Sequence, residues 1–158
     1  MENKKWDYAP VIEKMTDEQL KQRIQDAMDF EIENQIRRIP YLGGKEIAVE
    51  FSYPELIARC PMTGIRDLYK VRLKFIPGEF TAELKSLKLY FWGYETLPIS
   101  HEHVIAKIFQ DFSLMIQPEK LAIQLLVAER GEFVTTIETG DKELLKFSRS
   151  EKAETFGR

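Results

Sequence analysis

"LYKVRLKFIP", residues 68–77, decides the fold of this chain, because apolar and basic residues alternate along it. This alternation is typical of a β-strand that turns one face toward a core and the other toward water. "KEIAVEFSY", residues 45–53, alternates in the same way, with Ile47, Val49 and Phe51 on one side. Strands with one wet face are typical of antiparallel sheets. The two stretches therefore predict an antiparallel pair.

An N-terminal helix is predicted over residues 17–38. Thr16 and Gln19 have the spacing of a capping box, and the apolar residues that follow recur with a helical period. Pro40, followed by the glycine pair at 43–44, is expected to end this helix. We expect the helix to pack on the rest of the domain or to bridge subunits, without a catalytic role.

The remaining elements give the order of the fold. Residues 82–95 and 102–116 carry apolar stripes at helical spacing, whereas 120–129 and 132–138 have strand patterns joined by a short turn at Arg130-Gly131. The order is therefore a helix followed by ββααββ. It predicts an α+β domain in which two helices pack on one face of an antiparallel four-stranded sheet. Because an open sheet leaves two edges, we expect edge-to-edge assembly into a larger barrel.

The chain divides into three regions. Residues 1–44 form an N-terminal helical extension, and residues 45–140 form the domain that carries the chemistry. Residues 141–158 are charged and poor in apolar side chains, so they are expected to be a mobile terminus or a short surface helix.

Composition excludes several classes of function. The 158 residues carry a net charge of −3, which gives no electrostatic basis for a stable nucleic-acid complex. No apolar run is long enough to span a membrane, and the N-terminus has no apolar core of a secretory signal. One cysteine cannot form an intramolecular disulfide, and one cysteine with two histidines is a poor zinc set. We therefore expect a cytoplasmic protein without a metal.

The single cysteine lies in "ARCPMTGIRD", residues 58–67, between the first two predicted strands. One interpretation is that Cys60 is a small buried apolar residue. The other is that it is a nucleophile, because it lies in a turn beside Pro61 and because the adjoining Arg59 would favour the thiolate. Asp67 is close enough along the turn to serve as a proton donor. Such a pair suits attack on an electrophilic carbon whose neighbouring atom must then be protonated.

A second pair, His101-Glu102, starts the helix predicted at 102–116. A carboxylate is favoured at a helix N-terminus by the helix dipole alone. Alternatively, Glu102 accepts two adjacent N–H groups from the guanidine-like edge of a purine analogue. His101 would then orient the ligand or relay a proton.

A third group lies in "ELKSLKLY", residues 83–90. Lys85 and Lys88 are three residues apart on one helix face, and the simplest interpretation is that this face is solvated. Together with Ser86, the two lysines could instead hold a phosphate such as the 2′-phosphate of NADPH. The stretch lacks the glycine-rich fingerprint of a dinucleotide-binding Rossmann unit, so an NADPH site here would be of another kind.

Four motifs in this order, "CPMTGIRD", "ELKSLKLY", "SHEH" and "ERGE", resemble those of the NADPH-dependent 7-cyano-7-deazaguanine reductases. These are nitrile reductases of queuosine biosynthesis with the tunnelling fold shared with GTP cyclohydrolase I. The resemblance covers roughly residues 45–140. It implies a homo-oligomeric barrel with sites between subunits and a small-molecule substrate, 7-cyano-7-deazaguanine.

The resemblance also implies a role for each motif. Cys60 would add to the nitrile carbon to give a thioimide, Asp67 would protonate the nitrogen, and two NADPH molecules would complete reduction to 7-aminomethyl-7-deazaguanine without a metal. The residues implied in binding the deazaguanine are Ala82, Glu83, Leu84, His101 and Glu102. The residues implied in binding NADPH are Lys85, Ser86, Lys88, Arg130 and Gly131.

The sequence departs from this family at several positions. Gly93-Tyr94-Glu95 stands where the family usually has Ser, an aromatic residue and Arg. Ser100 replaces a Phe that packs on the substrate ring, Arg66 replaces a Pro, and Glu132 replaces a Gly. These departures suit either a divergent reductase or a relative with a changed second step.

Two other functions remain open at this point. In the reductase-like archaeosine synthases a similar Cys and Asp form the thioimide on a tRNA-bound base, and ammonia replaces hydride. Those proteins lack the Lys-Ser-x-Lys helix that this sequence has, which favours the reductase. A non-catalytic deazaguanine-binding protein is the third possibility, and the retained Cys60–Asp67 pair argues against it.

Overall fold

The structure is a computed structural model that describes residues 14–148. The ββααββ order and the α+β class predicted from the sequence are confirmed, with one additional small sheet. The helices are α1 (Asp17–Asp29), α2 (Leu84–Trp92) and α3 (His101–Ile116). The strands are β1 (Arg38–Pro40), β2 (Val49–Arg59), β3 (Arg66–Ile76), β4 (Phe80–Ala82), β5 (Lys120–Arg130) and β6 (Phe133–Gly140).

The main sheet has the strand order β2-β3-β5-β6, and every neighbouring pair is antiparallel. Side chains alternate across it as the sequence predicts, since Tyr69, Val71 and Leu73 are all buried on one face. The helices α2 and α3 cover this face with their apolar stripes, for example Phe91 and Phe112. The main core of the domain therefore lies between two helices and one sheet face.

The N-terminal helix is shorter than predicted. Its capping box is present, with Gln19 N donating to Thr16 Oγ1 at 3.1 Å and Thr16 N donating to Gln19 Oε1 at 2.9 Å. The helix ends at Asp29, however, and the prediction that it continues to residue 38 is wrong. Packing overrides the local helical pattern here, because residues beyond the helix pair with the domain through their backbone.

The segment after α1 forms the additional sheet. Strand β1 pairs antiparallel with β4, and the Arg37 carbonyl accepts a hydrogen bond from Glu83 N at 2.8 Å. Ile32 and Ile36 are buried, so the apolar residues that suggested a helix do reach the core, but along an irregular path. The segment from α1 through β1 is thus part of the domain's packing.

The C-terminal region also differs from expectation. Residues 141–148 fold back onto the outer face of the main sheet, where Leu144 packs against Ile76 and Ala122. Lys74 Nζ donates to the Lys146 carbonyl at 2.9 Å. The prediction of a mobile or surface-helical tail is therefore wrong for these residues, because three apolar side chains, Leu144, Leu145 and Phe147, and several backbone groups find partners there. Residues 149–158 lie outside the described part.

Within residues 14–148, no helix is both long enough and apolar enough to cross a membrane.

Candidate functional site

The turn between β2 and β3 holds the cysteine. Cys60 N donates to the Ile65 carbonyl at 2.8 Å, and Gly64 N donates to the Cys60 carbonyl at 2.9 Å. Gly64 has a φ of 72°, a conformation that a residue without Cβ adopts readily. Cys60 is half-buried and has a free thiol. The turn therefore presents the thiol at the end of the sheet instead of enclosing it in the core.

Asp67 lies on the same face of the hairpin as the thiol. It pairs across the strands with Ala58, and Cys60 is two residues beyond Ala58, so the alternation of a strand directs both side chains to one face. Asp67 is buried, and its carboxylate accepts a hydrogen bond from Arg130 at the end of β5. A buried carboxylate is thus held beside the cysteine turn by one guanidinium.

The start of α3 is fixed against the same turn. Arg59 N donates to the Leu97 carbonyl and Ile99 N donates to the Arg59 carbonyl, both at 2.9 Å. This short parallel bridge holds the residues before α3 against the last residue of β2. It brings His101 and Glu102 to the end of the sheet where Cys60 lies.

Tyr69 lies at the centre of this group, and the sequence analysis did not identify it as a site residue. Its hydroxyl is hydrogen-bonded to His101 Nδ1 at 2.7 Å, and the two rings meet edge to face. Burial raises the pKa of Tyr69 well above its ordinary value, and the charges of Asp67, Cys60 and Glu102 raise it further. The alternating pattern of β3 predicts that Tyr69 is a core residue. Its position two residues after Asp67, on the same face of the strand, was the only feature of the sequence that indicated a role in the site.

The structure therefore brings together five residues that the sequence singled out, arranged around Tyr69. They are Cys60, Asp67, His101, Glu102 and Arg130. Glu102 is exposed, and in residues 14–148 no hydrogen bond or ion pair occupies its carboxylate. The site thus combines a thiol, a buried carboxylate paired with arginine, an imidazole with a fixed partner, and an unoccupied carboxylate.

The residues at the start of α2 have mostly structural contacts in a single chain. Ala82 is buried at the end of β4, and Leu84 is 60 % exposed at the first position of α2. Glu83 caps this helix, because its two carboxylate oxygens accept from Lys85 N at 2.9 Å and Ser86 N at 2.7 Å. These backbone hydrogen bonds lower the pKa of Glu83. Both oxygens of Glu83 are therefore already used by its own helix.

Ser86 is likewise engaged in the fold. Its hydroxyl donates to the Glu83 carbonyl at 2.7 Å and accepts from Arg37 N at 2.8 Å. Lys85 and Lys88 are exposed, and in the described part of the chain neither has an ion-pair partner; Lys88 Nζ lies 5.1 Å from the centre of the Trp92 ring. The two lysines are thus the groups on α2 available to a phosphate. None of the described contacts of these residues reaches the group around Tyr69.

The departures at 93–95 have local explanations. A Cβ at Gly93 would lie 2.3 Å from Ile32 Cγ2, so the glycine makes room for the segment that follows α1. The Tyr94 hydroxyl is buried and bonded to that of Tyr90 at 2.8 Å. Glu95 forms an exposed ion pair of 3.7 Å with Arg66, another position of departure.

The N-terminal helix contacts the cysteine turn directly. Arg23 on α1 donates to the carbonyl of Pro61, the residue after Cys60, at 2.6 Å. The helix therefore packs on the domain, which is one of the two expected arrangements, and it holds the backbone of the turn that carries the thiol.

Comparisons with known proteins identify a matching family, similar sequences and a similar fold. The model of the QueF-like protein family matches residues 67–145, which is half of the chain and begins at the buried aspartate. Ninety-five residues are 36% identical to the NADPH-dependent 7-cyano-7-deazaguanine reductase of Trichodesmium erythraeum and cover 60% of this chain and 67% of that protein. The protein of the same name from Thermoanaerobacter pseudethanolicus is 37% identical over 93 residues, which cover 59% of this chain and 70% of that protein.

A solved structure supports the fold. The archaeosine synthase QueF-Like in its apo form aligns with a TM-score of 0.53 at 13% identity, covering 60% of this chain and 91% of that chain. At this identity the likeness concerns the fold alone, and it places the ββααββ domain among tunnelling folds. From the extent of the family match and the identity to the reductases, the chain belongs to the QueF-like protein family.

Proposed function

We propose that this protein reduces the nitrile of 7-cyano-7-deazaguanine to the primary amine with NADPH. The observation that carries the proposal is the group around Tyr69, which joins Cys60 and Asp67 from one stretch of sequence with His101 from another. The names of the similar proteins supply the substrate and the reductant.

Cys60 is the nucleophile. Its sulfur forms a bond to the nitrile carbon, one π pair of the nitrile moves to nitrogen, and the product is a thioimide. Asp67 takes the proton of the thiol and gives it to this nitrogen, so that no charge is left on the adduct. The guanidinium of Arg130 holds the Asp67 carboxylate at the site before this transfer. Burial of Asp67 keeps water from competing for the proton.

Glu102 binds the base. A carboxylate accepts two adjacent N–H donors of the aminopyrimidinone edge, and Glu102 is exposed while Glu83 already caps α2 with both oxygens. His101 lies beside Glu102 and orients the same edge. Ala82 and the exposed Leu84 would line the base from the segment before α2.

The reductant fits the residues of α2. Lys85 and Lys88 offer two free positive charges on one helix face to the 2′-phosphate of NADPH. Bound NADPH would supply the hydrides that convert the thioimide to the imine, with release of the thiol, and then to the amine. Arg130 and Gly131 at the β5–β6 turn are assigned to the same site, with Ser86 holding the start of the helix in place.

The complete site would form between subunits. Within residues 14–148 the lysines of α2 and the group around Tyr69 share no described contact, and we assign their meeting to a second copy of the chain. The outer strands of the main sheet are β2 and β6, and within residues 14–148 only the end of β2, at Arg59, is bridged by a further segment. Phe133 and Val134 on β6 are 80% and 81% exposed. We therefore assign the protein to a homo-oligomer that acts on a free base in the cytoplasm and forms no stable complex with nucleic acid.

The experiment that tests the proposal mixes the protein with 7-cyano-7-deazaguanine and NADPH. We expect two NADPH oxidised per nitrile, followed by nicotinamide absorbance. Intact-mass spectrometry without NADPH should reveal one adduct per chain, and Cys60 is the only thiol to which it can be assigned. The variants Cys60→Ala and Cys60→Ser should show neither adduct nor turnover.

Other outcomes would contradict parts of the proposal. Turnover by Cys60→Ala would exclude the covalent step. An adduct without NADPH oxidation would exclude the reductase, and ammonium with tRNA would then be tried as the second reactant.

The cofactor site is tested separately. Lys85→Ala and Lys88→Ala should weaken NADPH binding while the affinity for the nitrile stays unchanged. Lys21→Ala on α1 is the matched control, because it removes one exposed positive charge away from α2. Equal loss of both affinities would refute the phosphate assignment.

A further inference from the structure

We propose that Tyr69 is a positioning residue that fixes His101 in the neutral form protonated on Nε2, so that the imidazole faces the substrate as a hydrogen-bond donor. This inference rests on the proposed function for the identity of the substrate, but its structural part concerns the free protein. It assigns a role to a buried tyrosine that alternation alone marks as core.

The surroundings of the Tyr69 hydroxyl determine the direction of its hydrogen bond to His101. Tyr69 is 0% exposed, and within the described residues its hydroxyl has one hydrogen-bond partner, His101 Nδ1 at 2.7 Å. If Nδ1 carried the proton and donated it, the hydroxyl proton would be left without an acceptor. A buried donor without a partner is costly, by about 1–3 kcal/mol. The phenol therefore donates, and Nδ1 accepts.

The charges around the phenol keep its proton in place. Burial is the largest cause that raises the pKa of Tyr69, and the nearby Asp67, Cys60 and Glu102 act in the same direction. Deprotonation would place a further negative charge among these groups. The Tyr69 hydroxyl therefore keeps its proton, and Nδ1 of His101 is the acceptor within its reach.

The consequence lies at the other nitrogen. A neutral imidazole has one N–H, and with Nδ1 accepting from Tyr69 the proton is on Nε2. Glu102 on the next residue can only accept. The pair thus offers acceptors followed by a donor, which complements the edge of a guanine-like base: an exocyclic amine, a ring N–H and a carbonyl oxygen. His101 would donate to the carbonyl while Glu102 accepts from the two N–H groups.

This arrangement also limits what His101 can do. The neutral ring cannot take a proton through Nδ1 while Tyr69 occupies that atom. We therefore assign His101 to binding and orientation of the base, and the proton transfer to the nitrile nitrogen to Asp67.

The test is nitrogen NMR on the ligand-free protein labelled with ¹⁵N-histidine, at a pH about 2 units above the ordinary histidine pKa of about 6.5. Long-range proton–nitrogen couplings distinguish the two neutral tautomers. Only two histidines are present, and His103→Gln identifies the signals of His101. We expect His101 to carry its proton on Nε2. A proton on Nδ1 in the wild-type protein would overturn the proposal without any variant.

The second arm uses Tyr69→Phe, which removes one oxygen. We expect mixed tautomers at His101 and a fall in kcat/KM of about tenfold. A tenfold fall corresponds to about 1.4 kcal/mol, which is the contribution of one hydrogen bond. The affinity for NADPH should not change. Ser100→Ala is the matched control for the NMR, because Ser100 Oγ lies 2.5 Å from His103 Nδ1 and its loss should alter His103 only.

A second control separates positioning from stability. Tyr90→Phe removes another buried tyrosine hydroxyl. This hydroxyl is hydrogen-bonded to the Tyr94 hydroxyl and donates to Asp111 Oδ2 at 2.7 Å. It should lower stability and leave the His101 signals and kcat/KM unchanged. If Tyr69→Phe behaves like Tyr90→Phe in both readouts, Tyr69 has only a structural role. An inactive wild-type protein with the expected tautomer would overturn the proposed reaction instead and leave the role of Tyr69 in the free protein standing.

Discussion

Alanine at position 93 should destabilise the protein, although the backbone there suits alanine well. Gly93 has φ −62° and ψ −13°, an ordinary right-handed helical conformation. At such a position Gly→Ala usually stabilises a protein by about 0.4–1 kcal/mol, because it restricts the unfolded chain. Here the new Cβ would lie 2.3 Å from Ile32 Cγ2 and 3.3 Å from Ile32 Cβ. We therefore expect Gly93→Ala to lower the free energy of unfolding by about 1–3 kcal/mol, the usual range for overpacking.

The sign should reverse when Ile32 is shortened. Ile32→Ala removes Cγ2 and alone should destabilise by about 2–5 kcal/mol, because the side chain is buried. In that background the new Cβ meets the Tyr90 carbonyl oxygen at 3.1 Å and the remaining Cβ of residue 32 at 3.3 Å, while the 2.3 Å contact is gone, so Gly93→Ala should be neutral or stabilising. The coupling between the two changes is then about 2 kcal/mol, within the range for residues in contact.

The matched control is Ile32→Val, which shortens the side chain but keeps Cγ2. Gly93→Ala should remain destabilising in that background. Urea unfolding at one fixed protomer concentration measures each variant, since assembly would make stability depend on concentration. If the effects of Gly93→Ala and Ile32→Ala simply add, the segment after α1 does not pack on α2 as the structure has it.

Three further outcomes are expected. Arg23→Ala should slow turnover and change the rate at which iodoacetamide alkylates Cys60, because the hydrogen bond that holds the Pro61 carbonyl is lost. The control is Gln22→Ala, which should change neither rate, because the described hydrogen bond of Gln22 stays within α1. Raising the pH from about 9 to about 11 should lower stability, because burial raises the pKa of the three fully buried tyrosines above 10.0 in the folded state, so the unfolded chain loses these protons first. They are Tyr69, Tyr90 and Tyr94; a constant urea midpoint across that range would contradict their burial. Glu83→Gln should destabilise the protein at neutral pH, and its difference in stability from the wild type should shrink as the pH falls below 4.5. The reason is that the pKa of Glu83 is lowered in the folded state, so the charged carboxylate stabilises the protein above that pH and this stabilisation is lost below it. A difference that is the same at every pH would refute the charged cap.

The main sheet could be predicted from sequence because alternation reports burial directly. Residues 69–75 switch between apolar and basic at every step, and the structure pairs this strand on both sides. The capping box at Thr16 was predictable for a similar reason, since both of its hydrogen bonds are local. Local patterns thus determine these elements with little help from the rest of the chain.

The end of α1 could not be predicted in this way. Ile32 and Ile36 keep the helical spacing, so periodicity alone extends the helix to residue 38. What ends it is pairing with β4 and the hydrogen bond between Arg37 and Ser86, which join residues far apart in sequence. The tail after residue 140 was missed for the same reason, because a single buried leucine gives no periodic signal.

The residues of the candidate site that belong to a sequence motif could be predicted, whereas those that reach the site only through packing could not. Cys60, Asp67 and His101-Glu102 were identified, and their proximity is established by the strand register and the bridge to residue 59. Tyr69 was not identified, because a tyrosine in the apolar phase of a strand is normally core. The ion pair of Arg130 with Asp67 was also unexpected, since it joins a residue assigned to the cofactor with the proposed acid.

Three of the departures from the reductase pattern have partners within this chain. Arg66 and Glu95 differ from the usual residues, and they pair with each other on the surface, where such a pair contributes less than about 1 kcal/mol. Gly93 differs, and it accommodates Ile32 from a segment outside the family match. These contacts account for the departures at positions 66, 93 and 95 without reference to NADPH, and they leave Lys85 and Lys88 on α2 exposed. We therefore infer that these departures are compatible with a retained cofactor site, which favours a divergent reductase.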